Sequence, residues 1–232
     1  MKLGQMSFKK VSTIADFLQL DICGLSKDES YDKYINYDVN IPVILHGDWT
    51  KNGHSENNIK ERTSEYIQII HNLLSIAEIH GLTIHPPFRK KVSFEDFINY
   101  CNLIETATGI PVFIENRSNN KIWLSYPGEI IEFSNKHYMT IDLPQLFISC
   151  GYEETAFLDT VLKINWSNVK ELHLGNIKRN GKNTFVARKI EEGEIDLNKV
   201  ISFIKGVDYC TFEILGGVNV FENQKSCFMA LL

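Results

Sequence analysis

Residues 111–143, PVFIENRSNNKIWLSYPGEIIEFSNKHYMTIDL, spell out one complete strand–helix–strand unit. Pro111 leads into the apolar run Val112-Phe113-Ile114, which ends on Glu115. Positions 127–133 read as a helix with proline at its first position, where the missing N–H costs nothing. Positions 138–143 are a second apolar run, with Asp142 near its end. Buried parallel strands are almost continuously apolar, so a charged group is tolerated only at an end, where partners can satisfy it.

The same phrase recurs further on. Lys170-Glu171-Leu172 runs into His173, and Cys210-Thr211-Phe212 into Glu213. From Glu115 through Asp142 and His173 to Glu213 the separations are 27, 31 and 40 residues, close to one strand–helix unit each. In a closed parallel barrel the strand C-terminal ends open on a single mouth, so these four side chains are expected to be neighbours.

Working outward, strands are predicted at 2–6, 17–22, 42–46, 82–85, 111–115, 138–143, 169–174 and 209–215. Helices are predicted at 61–80 with Gly81 as the stop, from a capping-box-like Ser93 to Gly109, and at 127–133 and 154–164. Two more are predicted at 197–205 behind Asp196 and at 221–232, while 26–40 reads as a polar connection and 51–58 as a loop. Eight strands with intervening helices make one α/β domain spanning 1–232, a (β/α)8 TIM barrel with a shortened first βα connection. No G-x-G-x-x-G follows a strand and no Walker sequence occurs, which argues against a nucleotide-binding sheet.

Composition sets the outer bounds. At 232 residues and 44% hydrophobic, the chain can bury one large core. The net charge of −5 gives no general attraction to nucleic acid or anionic membrane. No apolar run is long enough to span a bilayer, and Met1-Lys2-Leu3-Gly4-Gln5 does not read as a signal peptide. The five cysteines are scattered without a C-x-x-C pair, as expected of small core residues in a reducing cytoplasm, and a cytoplasmic location is expected. Two basic clusters, Arg89-Lys90-Lys91 and Lys178, Arg179, Lys182, Arg188 and Lys189, read either as solvated loop surface or as phosphate contacts.

Three more strand ends are polar: Asp21, His46 and His85. Three carboxylates converging without a cation would repel and raise one another's pKa, and a metal removes that conflict. One imidazole with three carboxylates suits Mn²⁺, Mg²⁺ or Co²⁺ better than a structural Zn²⁺, with zinc still admissible. His46 and His85 are read as substrate contacts or as partners of ligands rather than as ligands themselves. His54, His71, His80 and His137 are expected to face solvent. Trp49 either walls the pocket or packs, and Asn116 either orients Glu115 or binds substrate.

The strand ends in order are L-H-G-D (45–48), I-H-P-P (84–87), I-E-N (114–116), I-D-L (141–143), L-H-L-G-N (172–176), E-E-G-E-I-D (191–196) and F-E-I (212–214). This ordered set resembles the xylose isomerase-like TIM-barrel superfamily, which includes sugar epimerases, hydroxypyruvate isomerase and the endonuclease IV class of abasic-site nucleases. The resemblance implies that Glu115, Asp142, His173 and Glu213 bind one divalent metal ion, and that Glu115 and Glu213 form the catalytic acid–base pair. It places a substrate-binding arginine at Arg179, and His46, His85, Asn116 and Gln145 join it as expected substrate contacts. Two departures stand out. Many members carry a histidine where this chain has Gln145, and the Asp-x-His of the nuclease class is absent at Phe185-Val186-Ala187. A three-zinc cluster is therefore not expected.

The activity implied is a metal-dependent isomerisation or epimerisation of a small sugar or sugar phosphate, by proton transfer through a metal-stabilised enediolate. The alternatives are an endonuclease IV-like phosphodiesterase and a barrel that binds a metabolite without turnover. The expected partner is a small polyol or sugar phosphate, with no membrane or nucleic acid partner and with homodimerisation left open.

Overall fold

The computed structural model describes residues 1–6, 11–35, 41–49, 56–180, 184–213 and 217–232. In chain order its elements are β1 (Lys2–Met6), β2 (Phe17–Asp21), α1 (Lys27–Tyr34), β3 (Val43–His46), α2 (Ile59–Leu73) and β4 (Ile79–Ile84). Next come α3 (Phe94–Thr108), β5 (Val112–Glu115), α4 (Pro127–Ser134), β6 (Met139–Asp142), α5 (Leu143–Ser149), α6 (Glu154–Lys163) and β7 (Val169–Leu174). The chain ends with β8 (Asn176–Asn180), β9 (Thr184–Arg188), α7 (Ile201–Ile204), β10 (Tyr209–Phe212) and α8 (Gly217–Met229).

Strands β1 to β7 and β10 close a parallel barrel, with β10 inserted between β7 and β1. The expected single (β/α)8 barrel is therefore the fold. Between β1 and β2 the described residues 11–16 form turns without a helix, held by Ala15 N–H to Ser12 O at 3.2 Å and Asp16 N–H to Leu3 O at 2.9 Å.

Four expectations need correcting. The helix predicted to Gly81 stops at Leu73, and Ile79-His80-Gly81 opens β4 instead. Gly81 lies inside the barrel, where a Cβ would come 2.3 Å from the Phe113 ring, so its role is to make room for that ring. The polar stretch after Ser26 contains α1. Ser26 and Glu29 cap it reciprocally, and the buried Tyr34 donates its hydroxyl to Asp21 O at 2.6 Å. Asp142 caps α5, a short helix that follows β6 directly, by accepting from Gln145 N–H at 2.7 Å. The segment after Gly175 forms the antiparallel hairpin β8–β9 beyond the barrel. The end of the strand predicted to 215 lies outside the described residues.

Side chains inside the barrel stack in layers, as period-two strands require. Phe17, Ile44 and Phe113 plug the N-terminal end. Above them lies a polar layer: Gln19, Thr83, Thr140, Glu171 and Thr211, all buried. The strand-end residues form the top layer. The main apolar core lies between the outer faces of the strands and the helices, where Ile69, Ile70, Phe97, Ile104, Ile130 and Phe228 are buried.

Candidate metal centre

Glu115 ends β5, Asp142 ends β6, His173 lies one residue before the end of β7, and Glu213 follows β10. His173 Nδ1 lies 3.2 Å from Glu115 Oε2 and 3.2 Å from Glu213 Oε1. Asp142, His173 and Glu213 offer ligand atoms within 4.8 Å of one another. The barrel thus gathers the four predicted residues in one place.

His46, expected only as a substrate contact, is nearer the centre than that. His46, Glu115 and His173 form a second group within the same 4.8 Å limit, and His46 Nε2 lies 3.4 Å from Glu115 Oε2. The Nδ1 of His46 lies 3.1 Å from Gly47 O, which keeps a proton on Nδ1 and leaves Nε2 as the nitrogen facing the acids, where burial opposes a charge but Glu115 raises the pKa. His46 Nε2 and His173 Nδ1 are buried and, among the described residues, meet carboxylate oxygens only at ion-pair distance, without a hydrogen-bond partner of good geometry. An orphaned buried nitrogen costs about 1–3 kcal/mol, and a cation between these groups satisfies both nitrogens at once. The donor set therefore fits a divalent ion.

The polar layer below supports this centre, and the sequence reading passed over it. Glu171 is fully buried and accepts from Thr211 Oγ1 at 2.6 Å, Gln19 Nε2 at 3.0 Å, Thr140 Oγ1 at 3.3 Å and Thr83 Oγ1. Its Oε2 lies 3.4 Å from His173 Nε2. Burial alone would raise the Glu171 pKa, but His173 and the hydroxyls hold it below the ordinary value. The available signal was alternation: Gln19/Asp21, Thr83/His85, Thr140/Asp142, Glu171/His173 and Thr211/Glu213 are polar pairs two apart, hence on one face of each strand.

Asn116 is buried, and both ends of its amide are engaged by the Asp142 backbone. Nδ2 donates to Asp142 O at 3.1 Å, and Oδ1 accepts from Asp142 N–H at 2.8 Å. This clamp joins β5 to β6 and positions Asp142 rather than opening Asn116 to a substrate. Asp48 of the L-H-G-D run is similarly structural, accepting from Arg62 Nε at 2.7 Å and from Gly24 N–H at 2.7 Å.

Arg117 was not anticipated. Its Nη1 lies 3.0 Å from Glu115 Oε1 and 3.2 Å from His85 Nε2, while His85 Nε2 lies 3.0 Å from Glu115 Oε2. Burial and the adjacent guanidinium push the His85 pKa down to about 3, so His85 is neutral. Burial works against ionised Glu115, yet the charge favoured on His173 and the hydrogen-bonding contacts of the facing imidazoles hold its pKa well below the usual range. Asp142 behaves oppositely, because burial and the facing Glu213 and Glu115 raise its pKa well above the usual range. Burial opposes a charge on His173, but Glu213, Glu171 and Glu115 outweigh it and raise its pKa. Opposed shifts of this kind are those expected where titratable groups are gathered at a functional site.

Gln145 Oε1 accepts from Ser118 N–H at 3.0 Å and from Ser118 Oγ, tying α5 to the loop after β5. Arg179 lies on β8, about half exposed, paired with Glu194 at 3.1 Å and stacked 5.3 Å over the Tyr152 ring. The Arg179 side chain bonds to none of the quartet, and Gln145 reaches it through its backbone N–H to Asp142 while its side chain is held by Ser118. Of the other histidines, His71 is exposed, His80 pairs with Glu78 and Tyr209, and His137 stacks on Phe133, while His54 lies outside the described residues. Trp49 is 37% exposed and its backbone pairs with Cys23 Sγ. Arg89 is a structural clamp, bonded to Glu129 at 2.7 Å and stacked 4.5 Å over Trp123. Lys189 pairs with Glu192, and Lys182 lies outside the described residues. Cys101, Cys150 and Cys210 are buried thiols as expected, whereas Cys23 and Cys227 are only half-buried. Among the described residues no helix is long and apolar enough to cross a membrane.

No protein-family model and no curated protein matches the sequence. Solved structures do match. A D-tagatose 3-epimerase-like protein aligns at 15% identity with a TM-score of 0.65, over 100% of this chain and 97% of its own. The IolI protein with a bound zinc atom aligns at 11% identity with a TM-score of 0.69, over 100% and 98%. A xylose isomerase domain-containing protein from Salmonella typhimurium LT2 aligns at 12% identity with a TM-score of 0.63, over 94% and 88%. At these identities the likeness is one of fold, and the fold is the one that the ordered strand-end motifs implied.

Proposed function

We propose that the chain is a divalent-metal-dependent isomerase or epimerase of a small sugar or sugar phosphate. One observation carries the reading: the buried nitrogens His46 Nε2 and His173 Nδ1, without a hydrogen-bond partner of good geometry among the described residues, both approach Glu115, beside Asp142 and Glu213. Glu115, Asp142, His173 and Glu213 would hold the ion, with His46 as a further ligand. Two imidazoles among carboxylates suit Mn²⁺ or Co²⁺, admit Zn²⁺, and suit Mg²⁺ less well. When bound, such an ion supplies Lewis-acid stabilisation of the charge that develops on oxygen as a proton leaves the neighbouring carbon.

The chain's own carboxylates then move the proton. Glu213 has a side chain 29% exposed and can be reached from the mouth, so it removes the proton next to the carbonyl. Glu115 comes from β5, a strand not adjacent to β10, and returns the proton from the other side. Neutral His85 donates or accepts a hydrogen bond to a substrate oxygen without adding charge. The test is solvent-deuterium incorporation across a panel of sugars and sugar phosphates, with protein purified without chelators. Glu213→Gln and Glu115→Gln should each abolish it, and unchanged incorporation in both variants sinks the mechanism.

A second reading, phosphodiester hydrolysis, draws support from His46 and His85 gathering on Glu115 Oε2 at 3.4 and 3.0 Å. Gln145 in place of histidine and the net charge of −5 weigh against it. Metal content separates the two: one ion per chain fits the isomerase, and several zinc ions fit the hydrolase.

A further inference from the structure

His46 ends β3, and two successive peptide planes beyond it hold its ring. The first is held by backbone alone: His46 O accepts from Ile22 N–H at 2.9 Å, and Gly47 N–H donates to Thr83 O at 2.8 Å. The second joins Gly47 to Asp48 and lies past the strand end. Its N–H donates to the Tyr66 hydroxyl at 2.7 Å, and its carbonyl oxygen, Gly47 O, is the atom 3.1 Å from His46 Nδ1. In a trans peptide the N–H and the C=O point in opposite directions, so fixing one aims the other.

Tyr66 reaches this peptide from α2, outside the barrel, and is buried. Arg62, one turn earlier on the same face of α2, donates from Nε to Asp48 Oδ2 at 2.7 Å and lies 5.2 Å over the Tyr66 ring. Gly24 N–H holds the other oxygen of Asp48 at 2.7 Å. Position 47 has no room for a side chain, because a Cβ there would lie 3.0 Å from Tyr66 Oη and 3.3 Å from Thr83 O. Burial and the Asp48 charge push the Tyr66 pKa well above its ordinary 10, so the hydroxyl keeps its proton. We infer that Tyr66 is a positioning residue of the metal centre: it holds the Gly47–Asp48 peptide so that Gly47 O meets His46 Nδ1 and His46 Nε2 stays turned to the cation. Tyr66 touches neither ligand nor substrate and acts through this one peptide. Without the hydroxyl the peptide can turn, Nδ1 loses its acceptor, and the imidazole can present either nitrogen to the acids.

The inference rests on the metal-dependent reading above, with His46 as a ligand, and two measurements on the full chain separate them. Zn²⁺ is the probe, since the donor set admits it and it keeps resonance lines sharp. Calorimetry gives its affinity, and ¹⁵N-histidine NMR shows which nitrogen of each ring carries the proton. In the Zn²⁺-loaded wild type, His46 should hold its proton on Nδ1 and the ion on Nε2. Tyr66→Phe keeps the ring and should weaken Zn²⁺ binding by about 10–100-fold, with the His46 Nδ1 proton lost to solvent exchange. Asp48→Asn keeps the backbone N–H but turns an amide toward Arg62, so it should show a smaller loss of the same kind, and it decides the matter if Tyr66→Phe does not fold. A hydroxyl that serves stability alone would lower the metal-free melting temperature and leave the affinity and the His46 signals as in the wild type, which overturns the inference alone. His46 signals unmoved by Zn²⁺ in a wild type that binds the ion overturn it too and return His46 to the substrate. A wild type that binds no Zn²⁺ and no Mn²⁺ removes the metal reading and this inference together.

Discussion

Glu171 stands directly behind His173: its Oε2 lies 3.4 Å from His173 Nε2, on the side of the ring away from Glu115 and Glu213. A carboxylate there holds a proton on Nε2, so Nδ1, which faces the acids, is the nitrogen that would give up its proton to a bound cation. Partners of this kind are typically worth 10–100-fold in metal affinity. Glu171→Gln should weaken Mn²⁺ binding by about that factor, although Glu171 touches no ion. Calorimetric affinity equal to wild type would show that Gln19, 2.7 Å from the same nitrogen, positions the ring instead.

His46 separates two readings of the centre. As a substrate contact, its loss would leave the cation in place; as a ligand, its loss would weaken the cation's hold. Its Nδ1 contact with Gly47 O and orphaned Nε2 favour the ligand. A ligand at 100 times its Kd stabilises the fold by about 2.7 kcal/mol, or roughly 5–10 °C in a domain of this size. Mn²⁺ should raise the melting temperature of the wild type by that amount and that of His46→Ala by markedly less. An undiminished shift in His46→Ala would return the residue to the substrate.

The metal-free protein should lose stability above neutral pH. The His173 pKa in the fold lies well above its ordinary 6.5, so its contribution is fully present below 6.5 and is lost as pH rises toward the folded value. The raised Asp142 pKa acts in the same direction, because the fold holds a proton that the unfolded chain has released. Glu115 acts oppositely: its depressed pKa contributes above about 4.5 and is lost on acidification. His85, held neutral with a pKa of about 3, likewise contributes above its ordinary 6.5 and loses that contribution on acidification, so melting temperature in the presence of a chelator should fall both on acidification and as pH rises above 6.5. Mn²⁺ should restore most of the loss on the alkaline side, since ligands must be deprotonated to bind. A flat alkaline limb without metal would count against the charge balance described for the site.

What was legible in the chain was whatever depends on order along it. Each apolar run ending on Glu115, Asp142, His173 or Glu213 is local, and closing the barrel brought those ends together. What depends on side-chain direction was not legible. Arg117 reads as a loop residue until its guanidinium is seen on Glu115, and His46 reads as a lone strand-end histidine until its ring is seen between Gly47 O and Glu115. The hairpin β8–β9 was missed because Lys178 and Arg179 face solvent and leave little apolar alternation to see. Helix α1 was missed because most of Lys27–Tyr34 is polar, with only Ser30 and Tyr34 buried. Polar residues inside the strands were discounted because a buried parallel strand is expected to be apolar throughout, and Glu171 with its threonines breaks that expectation.

Gly81 shows the same limit in the apolar plug. Its place at the end of an apparent helical pattern suggested a helix stop, but the structure puts it opposite Phe113 inside the barrel. A methyl group at this position would come 2.3 Å from Phe113 Cε2, in a cluster closed by Phe17 and Ile44. The ring cannot swing toward solvent, so the overlap must be absorbed by strained rotamers or strand shifts, at about 1–3 kcal/mol. Gly81→Ala should lower stability to denaturant by that amount, and combining it with Phe113→Leu should recover part of the loss through a favourable coupling. Additive losses in the double variant would mean that the glycine is needed for its backbone alone.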